Sequence, residues 1–214
     1  LLRNMAGPGE QFILLDRNGS EKLRAGNGSE DAVVQKYSPD GVLEWTAVHN
    51  GMEDDEDSAA VVLADGEGNV YVCGWTYEVP GQGMDMLVIK YSPEGDSMWM
   101  RTFGRPGAGD DAALDMCLDG QGSLIVTGYA SDSTAWNIDY CTISYDVESG
   151  DPTWVEFYNH IPENDEDVAV AVCTDNESNI YVTGYSYDDT TAYDYLTVRY
   201  DAATGSQTWL ARYN

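Results

Sequence analysis

Tyr37-Ser38-Pro39-Asp40-Gly41-Val42-Leu43-Glu44-Trp45 is the stretch that decides the fold, because it returns. Tyr91-Ser92-Pro93-Glu94-Gly95 leads to Trp99, and Tyr145 and Tyr200 lead through Gly150 and Gly205 to Trp154 and Trp209. The tyrosines stand 54, 54 and 55 residues apart, the tryptophans 54, 55 and 55. Between them, Pro and Gly supply the fixed and the positive φ values of a hairpin turn. A period of this length marks a repeat whose unit cannot bury its own faces alone.

A second register agrees with the first. Asp57, Asp111 and Asp167 each open a D-x-A segment, and Asp65, Asp119 and Asp175 follow eight residues later. A short turn and an apolar strand ending in Gly come next, at 70–74, 124–128 and 180–184. Each copy therefore predicts four short strands, in the last one at about 168–174, 179–185, 194–201 and 207–213. In the third of these, Leu196, Val198 and Tyr200 share one face and Tyr195, Thr197 and Arg199 the other. The first two strands are apolar on both faces, as suits a sheet pressed between two neighbours.

The expectation is an all-β fold, a β-propeller of four four-stranded antiparallel blades forming a single domain over 1–214, with blades at about 1–50, 57–105, 111–160 and 167–214. The recurrent Trp of the outer strand is expected to wedge between blades. The first copy is the most divergent: Phe12-Ile13-Leu14-Leu15-Asp16 aligns with 180–184, residues 1–5 would be its inner strand, and the D-x-A opening and terminal Gly are missing. Start and end fall at the same point of the repeat, so neither terminus completes the other's blade. Two arrangements stay open: a closed four-blade ring, or four blades of a larger propeller or assembly. An open arc would expose sheet faces prone to association.

Composition narrows the partners. With 38 acidic and 10 basic residues the formal net charge is −28. Nucleic acid is excluded as a partner, since binding it takes Lys and Arg to displace phosphate counterions. An anionic membrane surface is excluded on the same ground. No run approaches the roughly 20 apolar residues of a membrane span, and no signal peptide is visible. A chain starting at Leu1 reads as a processed or truncated product. Cys73, Cys117, Cys141 and Cys173 form no CxxC pair and fall on strands, so they are expected to be buried free thiols.

In a propeller, loops from an outer strand to the next inner strand share a face with the loops between second and third strands. Two features fall on that face. One is acidic: Glu53-Asp54-Asp55-Glu56-Asp57, Asp110-Asp111 and Asp165-Glu166-Asp167. Clustered carboxylates suit Ca²⁺, which takes six to eight oxygen ligands, and Asp57, Asp111 and Asp167 are the candidate metal ligands. The same aspartates could instead cap the loops through bonds to backbone N–H groups. The patterns from Asp65 to Asn69 and from Asp175 to Asn179 mimic a calcium loop in part, but lack its Gly and its final Glu, and read as hairpin turns.

The other feature is aromatic. Trp75, Tyr77, Tyr129, Trp136, Tyr185 and Tyr187, with Tyr193, stand at or beside the loops after the second strands. Such residues can stack sugar rings or grip peptides, or pack between blades. No GxSxG, HExxH, Walker loop or GxGxxG is present. His49 and His160 occupy unlike repeat positions and read as surface loop residues.

Residues 194–200 (DYLTVRY), 209–214 (WLARYN) and 179–185 (NIYVTGY) resemble the seven-bladed β-propeller (SBBP) repeat family of bacterial proteins. The resemblance spans about 31–214. It implies secreted or cell-surface proteins, often multidomain, while four copies rather than seven depart from the pattern. The turn from Asp201 to Trp209 also resembles the tryptophan-docking motif of quinoprotein dehydrogenases. The function expected is a non-enzymatic binding or structural module, secreted or on a bacterial cell surface. It would present an acidic, aromatic face to a protein or glycan, with Ca²⁺ as an optional companion. A hydrolase or lyase acting on polysaccharide, and a structural repeat of a larger surface assembly or homo-oligomer, are the alternatives.

Overall fold

A computed structural model of the chain describes residues 11–15, 31–51, 56–78, 83–107, 109–131, 137–159, 166–175, 177–188 and 190–214. Every regular element among them is a β-strand. The chain divides into two compact units, Leu1–Phe103 and Gly104–Asn214.

In the first unit, β1 (Gln11–Leu15), β2 (Ala32–Tyr37) and β3 (Leu43–His49) form one antiparallel sheet, blade one. Blade two is β4 (Ser58–Ala64), β5 (Val70–Thr76), β6 (Asp85–Tyr91) and β7 (Ser97–Phe103). In the second unit, β8 (Ala112–Leu118), β9 (Ser123–Ser131), β10 (Ile138–Asp146) and β11 (Pro152–Tyr158) form blade three. Blade four is β12 (Asp167–Thr174), β13 (Ile180–Asp188), β14 (Ala192–Tyr200) and β15 (Gln207–Tyr213). Within each blade, strands adjacent in sequence pair with one another, as the repeats predict. The inner strand expected at 1–5 lies outside the described residues.

The D-x-A opening and the distant Gly turn out to be two halves of one device. In blades two, three and four the first strand bulges at the same place, between Ala59 and Val61, Ala113 and Asp115, and Ala169 and Ala171. A bulge inserts an unpaired residue and bends its strand. The bent strand drives a carbonyl onto the second strand: a Cβ at Gly74, Gly128 or Gly184 would sit 1.9 Å from the oxygen of Ser58, Ala112 or Val168. Only glycine leaves room.

Blades pack face to face within each unit. In the first, Ala32 and Val34 of blade one join Val62, Val72, Leu87, Ile89 and Tyr91 of blade two. In the second, Ile125 and Tyr140 of blade three join Val172, Val182, Leu196, Val198 and Tyr200 of blade four. Burying each large apolar side chain contributes about 1.5–3 kcal/mol. The outer-strand tryptophans close these interfaces as expected. Trp45 Nε1 donates to the Pro93 carbonyl (3.0 Å) and its ring lies 6.0 Å from that of Tyr91. Trp154 Nε1 donates to the Ala202 carbonyl (2.9 Å) and its ring lies 6.1 Å from that of Tyr200. The indoles lie so close to the turns that a Cβ on Gly95 or Gly205 would come within 2.8 or 2.7 Å of the ring. Asp115 adds a buried tie, its Oδ2 accepting the Val172 N–H across the blades at 2.9 Å.

Two expectations need correction. His49 is not a loop residue: it ends β3, half-buried, with Nε2 3.1 Å from Thr76 Oγ1. The cysteines are all free, with Cys73 and Cys141 buried and Cys117 half-buried, but Cys173 is exposed, because β12 turns that side chain away from the core.

Replacing Gly184 with Ala should cost about 3 kcal/mol, since the added carbon meets the Val168 carbonyl at 1.9 Å and Tyr140 Oη at 2.8 Å. Urea unfolding measures it; a loss below about 0.5 kcal/mol, the usual range of surface changes, would contradict the bulge account.

Candidate functional site

Two of the aspartates proposed as metal ligands, Asp57 and Asp111, bind backbone N–H groups. Asp57, almost fully buried, accepts the N–H of Gly51 (2.5 Å) and of Tyr77 (3.1 Å). Asp111 does the same with Arg105 (2.9 Å) and Ser131 (2.8 Å). Each carboxylate thereby ties the incoming loop to the end of the second strand. Asp167 holds the same position at the start of β12, buried opposite Ser186. Among the described residues no group of three or more His, Cys, Asp or Glu is placed to hold a metal ion. Glu53, Asp54, Asp55 and Asp165 lie outside them.

The partial calcium patterns are hairpin turns. Asp65 accepts the N–H groups of Glu67 and Asn69 with one oxygen and takes the Asn69 amide and the Tyr71 hydroxyl with the other. Asp175 repeats this with Glu177, Asn179 and Tyr181. Burial raises the Asp65 carboxyl, but its four donors outweigh that and hold it below the usual value. The Asn179 amide, with its fellow donors, brings Asp175 down to about 2.

A cleft of about 490 Å³ opens on blade four, lined by Glu166, Tyr185, Tyr193, Asp194 and Tyr195. Its geometry follows from strand pairing. Tyr185 lies opposite Tyr195, and Tyr187 opposite Tyr193, at the hairpin end of β13 and β14. Residues two apart share a face, so the four rings gather on one side. Tyr193 sits edge-on to both Tyr185 (5.4 Å) and Tyr187 (5.3 Å). Glu166, just before β12, is held by both tyrosines: Tyr185 Oη donates to Oε1 at 2.9 Å and Tyr193 Oη to Oε2 at 2.7 Å. Its carbonyl accepts the Tyr187 N–H at 3.1 Å, which anchors the loop to the hairpin. The Asp194 carboxylate turns to the other face of β14, where it meets Thr191 and Arg212. Arg212 reaches on to Ser186 and to Tyr158 of blade three, bracing the hairpin from behind.

Chemically this is an aromatic shelf with one fixed carboxylate. Burial, then the bond to Glu166, pushes the Tyr185 phenol up to about 12. The bond to Glu166 is the first cause of the raised Tyr193 phenol. Both stay protonated at neutral pH and serve as donors and stacking surfaces.

Of the residues named from sequence, Tyr185, Tyr187 and Tyr193 belong to this cluster. Tyr129 is half-buried on β9 in the same unit, near enough to contribute to the Tyr185 shift. Trp75 and Tyr77 belong to the first unit: Trp75 is half-buried on β5, and Tyr77 gives its N–H to Asp57. Trp136 and His160 lie outside the described residues. Sequence alone does not single out Glu166, which stands in an acidic run, or Tyr195, for which the signal is the alternation of β14 that puts it on the face opposite the core residue Leu196.

Changing Glu166 to Gln removes the charge that holds both phenolic protons. The two phenols should then ionise at lower pH, detected in an ultraviolet tyrosine titration of native protein against the wild type. The sign follows from the folded pKa lying above the usual 10. The contribution of Tyr185 to stability is complete below about pH 10 and is lost as pH climbs towards 12. An unchanged titration curve would contradict the clamp.

No protein-family model matches the chain, and no curated protein matches it by sequence. Solved structures do. The quinohemoprotein alcohol dehydrogenase of Comamonas testosteroni aligns over 86% of this chain and 32% of its own, at 16% identity and TM-score 0.54. A europium-containing methanol dehydrogenase aligns over 93% and 43%, at 9% identity and TM-score 0.55. The chain spans less than half the length of either. At such identities the likeness is one of fold alone, and the fold is that of β-propeller blades. The resemblance to SBBP repeats remains a resemblance.

Proposed function

We propose that the chain is a non-enzymatic propeller module that holds a glycan in the blade-four cleft, as part of a secreted or cell-surface protein. The observation that carries this reading is the Glu166 carboxylate clamped by Tyr185 and Tyr193 in a cleft that the exposed Tyr195 also lines. Sugar rings offer apolar C–H faces to stack on tyrosine and hydroxyls to donate to a fixed carboxylate. The rings need little ordering on binding, because Tyr193 is already wedged between its neighbours. The negative charge of the chain favours neutral or amino-bearing sugars over anionic ones. The proposed placement at the cell surface draws on the SBBP resemblance.

A glycan array followed by calorimetry tests the reading. Binding of a neutral or amino-bearing glycan should weaken about tenfold or more in Tyr193→Ala, the loss of one stacked anchor of about 1.4 kcal/mol or more. Incubation with the same glycan should release no shorter product. Binding that is indifferent to Tyr193 and Glu166 would overturn the site, and product release would favour a polysaccharide-acting hydrolase or lyase.

A further inference from the structure

Arg212 lies in a receptacle that two blades build together. Its guanidinium meets the Asp188 and Asp194 carboxylates of its own blade (3.3 and 3.4 Å). It also meets the hydroxyls of Ser186 (2.7 Å) and, across the interface, of Tyr158 in blade three (3.4 Å). Asp188 stands four residues after the strand glycine Gly184, and Asp194 lies opposite Ser186. Arg212 lies opposite Leu196, itself the partner of Gly184. Blade three draws its cation from another element. Asp139 holds the position of Asp194, and the Arg105 guanidinium reaches it from the loop that enters the blade.

Blade two keeps the receptacle and lacks both arginines. Glu78 stands four residues after Gly74, and Asp85 lies opposite Thr76. His49 of blade one takes the place of Tyr158, four residues after Trp45 as Tyr158 is after Trp154. The side chains converge as they do in blade four: His49 Nε2 lies 3.1 Å from Thr76 Oγ1 and 3.4 Å from Glu78 Oε1, within one compact unit. Burial, then the Glu78 charge, raises the Asp85 carboxyl, as two carboxylates drawn together do. Opposite Leu87, the partner of Gly74, stands Thr102 in place of Arg212. In place of Arg105 stands Gly51, which gives its N–H to Asp57 as Arg105 does to Asp111. A Cβ there would meet the Tyr77 carbonyl at 2.5 Å, so the loop sends no side chain inward at this point. Among the described residues no Lys or Arg pairs with Glu78 or Asp85.

We propose that blade two binds the guanidinium group of an arginine-bearing ligand at His49, Thr76, Glu78 and Asp85. The group takes the place that Arg212 fills in blade four, donating to both carboxylates and to Thr76 Oγ1. It comes in over Thr102, which is exposed on the outer strand. The planar fork of a guanidinium suits acceptors set side by side, whereas an ammonium is a single point charge. The net charge of −28 draws a cation in from solution. The site belongs to the first unit and the tyrosine cleft to the second, so neither proposal rests on the other.

Nuclear magnetic resonance on the full chain tests the site. The chain has two histidines, His49 and His160, so a His160→Gln variant assigns the imidazole signals. Titration with N-acetyl-argininamide at fixed pH and ionic strength should move the His49 signals saturably. N-acetyl-lysinamide should bind at least about threefold more weakly. Glu78→Gln should weaken the binding of the arginine amide about fivefold or more. Thr102→Arg rebuilds the blade-four arrangement from within the chain and should abolish it. Tighter binding of an arginine-centred pentapeptide than of the amide assigns the ligand to a protein chain, and equal binding assigns it to a small molecule; both support the site. His49 signals that stay in place, that move equally with the lysine amide, or that move as much in Glu78→Gln and Thr102→Arg as in the wild type would overturn the proposal.

Discussion

An indole laid against the backbone of the next blade's turn is the contact on which each unit rests. A four-stranded sheet with apolar residues on both faces cannot stand alone in water; it needs a neighbour held at a fixed distance and angle. The docked tryptophan supplies both. Its ring covers the buried tyrosine of the next blade, its N–H finds a carbonyl there, and a glycine lets it approach. Apolar burial supplies most of the stabilisation, while the single hydrogen bond, worth about 1 kcal/mol net, sets direction.

The strands were legible in the sequence because periodicity and turn chemistry act locally. The expected strands at 168–174 and 207–213 are found at Asp167–Thr174 and Gln207–Tyr213. The meaning of D-x-A and of the terminal Gly was not legible, since the bulge that links them joins residues some sixteen positions apart on different strands. The acidic runs show the same limit. A carboxylate's role depends on which donors the fold brings to it: Asp57 and Asp111 meet backbone N–H groups, while Glu166 meets two phenols. In sequence all three belong to similar runs of Asp and Glu. Part of the acidity is thus architectural, because the turns at Asp65, Asp119 and Asp175 are each shaped by a carboxylate.

Tyr193 departs from the repeat where a site is proposed, since blade three has Ile138 there and blade two Met84. Tyr195 and Glu166 each recur in one other blade, as Tyr140 and Glu56. A scaffold of repeated geometry holds these residues at its hairpin end, and Arg212 braces that end through Asp188, Asp194 and Ser186. Rigid support beneath an exposed aromatic cluster is what a binding surface requires of its fold.

The most direct measurement is a double-mutant cycle between Trp154 and Gly205, read by urea unfolding. The left-handed backbone of Gly205 (φ +72°) strains an alanine equally in both backgrounds, so that cost cancels and the contact alone remains. If the docked indole governs the packing, Gly205→Ala should cost at least about 1 kcal/mol more in the wild type than in Trp154→Ala. Losses that simply add, to within about 0.3 kcal/mol, would show that the indole does not bear on the turn and would contradict the account.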